Sequence, residues 1–145
     1  MGIHETLQEA LERANNERHN RSAAVQDCDG EIANLRLNLQ RTQTQKAGVE
    51  MLHRAATSKY NELREHVGRL PDESARNALR PDIEQCMQEA NTMVRNVQCM
   101  GETERDYQRQ ISQAEIKHAS AQANLVAATE RWEQIKKQIE DLNRN

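Results

Sequence analysis

Within VQDCDGEIANL, residues 25–35, the run Asp27-Cys28-Asp29-Gly30-Glu31 sets three carboxylates and a thiol around a glycine. Two chemistries fit such a group, calcium binding and thiol nucleophilicity. An EF-hand loop carries its glycine at the sixth position and a bidentate glutamate at the twelfth. Counted from Asp27, Gly30 is fourth and the twelfth residue is Asn38, so the calcium reading fails. A reactive cysteine needs a base and an electropositive pocket to hold its thiolate. Of His4, His19, His53, His66 and His118, only His118 is brought toward Cys28 by the helix register derived below. A narrow two-helix seam offers that pair no substrate cleft. No two histidines stand four residues apart and HExxH is absent, while Glu62 and His66 read as a surface pair. Neither a phosphate-binding glycine loop nor an acid/base pair is present, so no catalytic residue, metal site, cofactor or small-molecule substrate is expected.

The remaining composition describes what must position these residues. Charged side chains make up 30% of the 145 residues, and the aromatics are only Tyr60, Tyr107 and Trp132. Without phenylalanine the chain lacks the groups that fill a thick core. Few Gly and Pro, with much Ala, Leu, Glu, Gln and Arg, favour helix over disorder. A helical chain this polar buries a thin seam.

Residues 1–70 carry 10 basic and 10 acidic side chains, and residues 71–145 carry 10 and 13. Neither half has the basic excess that tracks phosphates, so no nucleic-acid partner is expected. The longest apolar run, Leu125 to Ala128, is far shorter than the ~20 residues that span a bilayer. No basic start followed by an apolar run marks a signal peptide. Three cysteines, an odd count without CxxC, point to a reducing compartment, and cytoplasm is expected.

Alternate steps of four and three from Leu7 trace one stripe through Leu11, Ala14, Val25, Cys28, Ile32, Leu35, Leu39, Val49, Ala56, Tyr60, Leu63 and Val67 to Leu70. The stripe holds its phase for nine heptads, straight through Gly30. Its polar members are Arg18, Arg21, Thr42, Lys46 and His53. Such 3.5-residue spacing keeps one face turned to a partner helix. Cys28 is thereby a small apolar seam residue, and its acidic neighbours lie on solvated faces. A second stripe of close to nine heptads runs from Ile83 and Cys86 through Met93, Met100, Glu104, His118, Leu125, Ala128 and Trp132 to Ile139 and Leu142.

Between the stripes lies GRLPDESARNALRPDIE, whose Pro71 and Pro81 suit first helical turns. The spacing predicts helix A over about 3–69, a connector with a short helix over about 70–80, and helix B over about 81–143. A short connector makes the two helices antiparallel neighbours. The fold class is all-α, one long antiparallel helical hairpin of coiled-coil type filling 1–145. Facing residues then total about 150 in number, which sets Lys46 against Glu104 and Arg18 against Trp132.

Apolar residues off the stripe, Leu37, Met51, Leu52, Met87, Val94 and Ile116 with Ala119, Ala123 and Ala127, widen the apolar surface beyond a two-stranded seam. Leu37, Met51, Leu52, Met87 and Val94, with Met100 and the apex residues Leu70 and Leu79, are the candidate partner-binding set. The expected work is protein–protein contact as a stalk, spacer or docking scaffold, with self-association into a dimer or four-helix bundle as one form of it. In length and hairpin layout the chain resembles small stalk or escort proteins of bacterial flagellar and type III export systems. That resemblance implies an alternative, a cytoplasmic chaperone-like escort that holds a helical or unfolded client.

Overall fold

The computed structural model describes residues 2–144 and consists of two long helices packed against each other, α1 (Ile3–Arg69) and α2 (Glu73–Arg144). The described residues contain no strand, as the all-α hairpin reading requires. Neither helix breaks at its glycines, Gly30, Gly48 and Gly68 in α1 and Gly101 in α2.

The end of α1 follows from Pro71. Proline crowds the residue before it out of helical geometry, and Leu70 closes the last turn with a bond from its N–H to the Val67 carbonyl, 3.2 Å. Asp72 then caps α2: its carboxylate accepts the Ser74 N–H at 3.0 Å, and its carbonyl accepts the Arg76 N–H at 3.1 Å. The Arg76 Nη1 donates to the Leu70 carbonyl at 2.7 Å, tying the first turn of α2 to the end of α1.

One expectation is corrected here. No separate connector helix over 70–80 exists, and the second long helix does not begin at Pro81. It begins at Glu73 and passes through Pro81 without a break. Proline removes the bond that would reach the Asn77 carbonyl and its ring crowds that carbonyl, but Asn77 and Pro81 are both exposed, so water satisfies it. Ala75, Ala78, Leu79 and Arg80 are strong helix formers. Leu79 and Ile83 also sit four residues apart and are both half-buried, so the seam continues in phase across the proline.

The hairpin divides into two compact units. The first joins Met1–Arg36 with Arg109–Asn145, and its buried residues are Ala14, Cys28, Ile32, Ala114, Ala128 and Ile139. The second is Leu37–Gln108, with Ala56 and Cys86 buried. Small side chains occupy most of these positions, so the helices approach closely there and leave larger neighbours such as Leu11, Leu35, Leu63 and Leu125 half-buried. A leucine fully withdrawn from water contributes about 1.5–3 kcal/mol. These contribute less, and length compensates for thinness.

Cross-helix contacts in the first unit give the antiparallel register directly. Arg131 Nη1 meets Glu17 Oε2 at 3.1 Å, Arg36 Nη2 meets Glu115 Oε1 at 3.0 Å, and Lys117 Nζ stands 3.8 Å from Glu31. The Arg18 guanidinium lies 4.1 Å above the Trp132 ring, the expected cation–π pair. In the second unit Lys46 Nζ meets Glu104 Oε2 at 3.1 Å. Every pair totals close to 150, as the sequence predicts.

Candidate interaction surfaces

Chemistry at the Asp27–Glu31 run is limited by what surrounds it. Cys28 is buried, while Asp27, Asp29, Gly30 and Glu31 are exposed. The His118 Nε2 lies 2.6 Å from Asp29 Oδ1, a close contact outside good hydrogen-bond angles. His118 is therefore directed to Asp29. It does not line the shallow groove of about 470 Å³ that Cys28 shares with Ala24, Ile116, Ser120 and Asn124. No three His, Cys, Asp or Glu side chains among the described residues converge as metal ligands would. No described helix is long and apolar enough to cross a membrane.

In the second unit a cross-helix ion pair is reinforced by a further hydrogen bond. Glu104 accepts hydrogen bonds from Lys46 at 3.1 Å and Gln43 at 3.3 Å. The Lys46 bond foremost, then that from Gln43, holds the Glu104 carboxyl below its usual 4.5 against the opposing push of burial.

All eight candidate contact residues fall within Leu37–Gln108. They do not present equally. Met51 is 64% exposed, Leu52 58%, Leu37 45%, Met87 44% and Val94 36%. Leu70, Leu79 and Met100 are half-buried and act chiefly as seam or apex packing.

Heptad position separates the exposed five into distinct faces. With seam positions lettered a and d, Leu37 and Met51 are both f, two heptads apart on the face of α1 opposite the seam. Thr44 lies between them, and its hydroxyl donates to the Gln40 carbonyl at 3.0 Å. That bond leaves its methyl group to extend the apolar line. A groove of about 480 Å³ runs along this face past Leu37, Gln40, Arg41 and Thr44. Met87 and Val94 are both e, one heptad apart along one edge of α2. Leu52 is g, on the opposite edge of α1. The sequence spacing contains this division, but hydrophobicity alone groups the five together.

No family model, curated protein or solved structure matches the chain.

Proposed function

We propose that this chain is a non-enzymatic coiled-coil protein whose work is protein–protein contact, as a stalk, spacer or docking scaffold. The observation that carries the reading is the pair Leu37 and Met51, 45% and 64% exposed and in heptad phase on the outer face of α1. Solvated helical faces are normally polar at such positions. Apolar residues repeating there at seam spacing offer a ridge against which a further helix can pack. The free cysteines Cys28, Cys86 and Cys99 support a reducing compartment, and the cytoplasm is the location we propose.

A second reading, the chaperone-like escort, draws on Met87 and Val94. An exposed methionine beside a valine one heptad away suits a surface that repacks around varied clients.

The test is site-specific photo-crosslinking from positions 37, 51, 87 and 94 in cells, followed by binding measurements with the purified partner. Under the scaffold reading, one defined protein crosslinks at 37 and 51, and Leu37→Asp with Met51→Asp abolishes its binding. Under the escort reading, several clients crosslink at 87 and 94, and Met87→Asp with Val94→Asp abolishes their capture. If crosslinks are absent at all four positions, both readings fail.

A further inference from the structure

Within the second unit both helices carry a glycine at one level. Gly48 on α1 and Gly101 on α2 total close to 150 in number, as the facing pairs do, and so stand beside each other across the seam. A Cβ built on either meets nothing within 4 Å, and neither has positive φ. Packing and backbone geometry therefore do not call for glycine here, and its effect on each helix is to weaken it.

Three further features gather around the same level. Thr42 and Thr44 donate their hydroxyls to the Asn38 and Gln40 carbonyls, both at 3.0 Å, and Thr103 donates to the Cys99 carbonyl at 3.1 Å. Such bonds to the carbonyl four residues back slightly destabilise a helix and often bend it. The seam is polar on both sides of the glycines. Lys46 meets Glu104 at 3.1 Å on one side, and on the other half-buried His53 lies 3.5 Å from the Thr57 hydroxyl. Lastly, no side chain from Leu37 to Ala55 or from Met87 to Gln108 is buried; Ala56 and Cys86, nearer the apex, are.

We propose that this level is a joint at which α1 and α2 open and bend together. Two packed helices bend only where both yield, because an intact helix splints a weakened neighbour. Helical hydrogen bonds open most readily where few apolar contacts cover them. Sharp bends gather at glycines and where a side chain intrudes on the backbone ladder. Both conditions meet here, on both helices. The Lys46–Glu104 pair adjoins the glycines and fixes register, so the joint flexes without slipping. The arm beyond it, from about His53 through the apex to Val97, changes direction while its own seam stays closed over Ala56 and Cys86.

Amide hydrogen exchange on the full chain, read residue by residue in NMR spectra, tests the proposal. Away from the helix ends, exchange should be fastest at about 44–52 and 98–105. Around Ala56 and Cys86, and around Ile32 and Ala114, it should be slower by roughly tenfold or more. Gly48→Ala with Gly101→Ala should slow exchange at the joint roughly tenfold, whereas Gly30→Ala should leave it unchanged. Residual dipolar couplings read the bending: amides at 55–95 should align to a different degree from those on the far side of the joint, and the double substitution should remove the difference. Exchange no faster at this level than around Ile32 and Ala114 overturns the proposal. So does fast exchange in one helix alone, or a steady rise toward the apex, which is fraying from the end. Exchange indifferent to the double substitution, or one common alignment in the wild type, overturns it as well. No partner enters these measurements, so this inference and the proposed function stand or fall separately.

Discussion

Lys46 Nζ and Glu104 Oε2 stand 3.1 Å apart at seam positions, where the heptad pattern otherwise places apolar side chains. Both residues are half-buried, and Gln43 adds a second hydrogen bond to the carboxylate at 3.3 Å. A slip of one heptad would set Lys46 against Val97 and leave both charges unpaired. The pair therefore selects one alignment of the second unit at some cost in stability, as polar seam residues do in coiled coils.

Acid stability should report this contact. Because the folded state holds the Glu104 carboxyl below 4.5, it binds that proton less readily than the unfolded chain does. The stabilisation is complete above 4.5 and is lost as pH falls through the lowered value. Glu104→Gln should be less stable than wild type in urea at neutral pH, with the gap closing as pH drops below that point. A gap equally wide at pH 7 and in strong acid would show that the carboxylate charge contributes nothing.

Replacing both partners separates specificity from stability. Lys46→Leu with Glu104→Leu removes the desolvation cost and should raise the melting temperature above wild type, while either change alone should lower it. Calorimetry on the three variants decides this. The double variant should also show a less uniquely defined register, read as broadened amide resonances in NMR spectra.

The seam was legible in the sequence because a two-helix interface leaves a strict 3.5-residue trace. Of the positions on the two stripes only Arg21 and Leu142 are exposed, and each is where the spacing argument is weakest, at a charge or near a chain end. The Lys46–Glu104 and Arg18–Trp132 contacts were legible because register makes them neighbours. The path through Pro81 was not, since proline's usual place in a first turn outweighed a continuous stripe. The partner of His118 was also hidden. Asp29 is an off-seam residue beside Cys28, and only the geometry of the side chains places the imidazole on its carboxylate.

Helix continuity at Pro81 gives a direct test. Pro81→Ala restores the bond to the Asn77 carbonyl and should stabilise the hairpin by about 1–3 kcal/mol in chemical denaturation. If the proline instead marked the start of the helix, the same change would be neutral or unfavourable.

Gly30 and Gly48 lie within α1, and a Cβ built at either meets nothing within 4 Å. Neither position requires glycine for packing or for backbone geometry, because no described glycine has positive φ. Gly30→Ala and Gly48→Ala should each stabilise the protein by about 0.5–1 kcal/mol. Unchanged or lower stability at Gly48 would place a demand on that outer face beyond the folded chain itself. Gly48 adjoins the Leu37–Met51 ridge, so retained flexibility or a close approach by a partner would then be the next property to measure there.

Isoleucines on opposite sides of the helices separate core from surface. Ile32 is 8% exposed and Ile139 6%, whereas Ile116 is 72% exposed. Truncating Ile32 or Ile139 to alanine should cost about 2–4 kcal/mol, since each loses buried methylenes and leaves a gap that the seam only partly closes. Ile116→Ala should leave the stability of the monomer within about 0.5 kcal/mol of wild type. Denaturation of all three variants distinguishes a residue that holds the hairpin together from one on its outer face. Equal losses for all three would place Ile116 in the core, against its exposure on the outer face of α2.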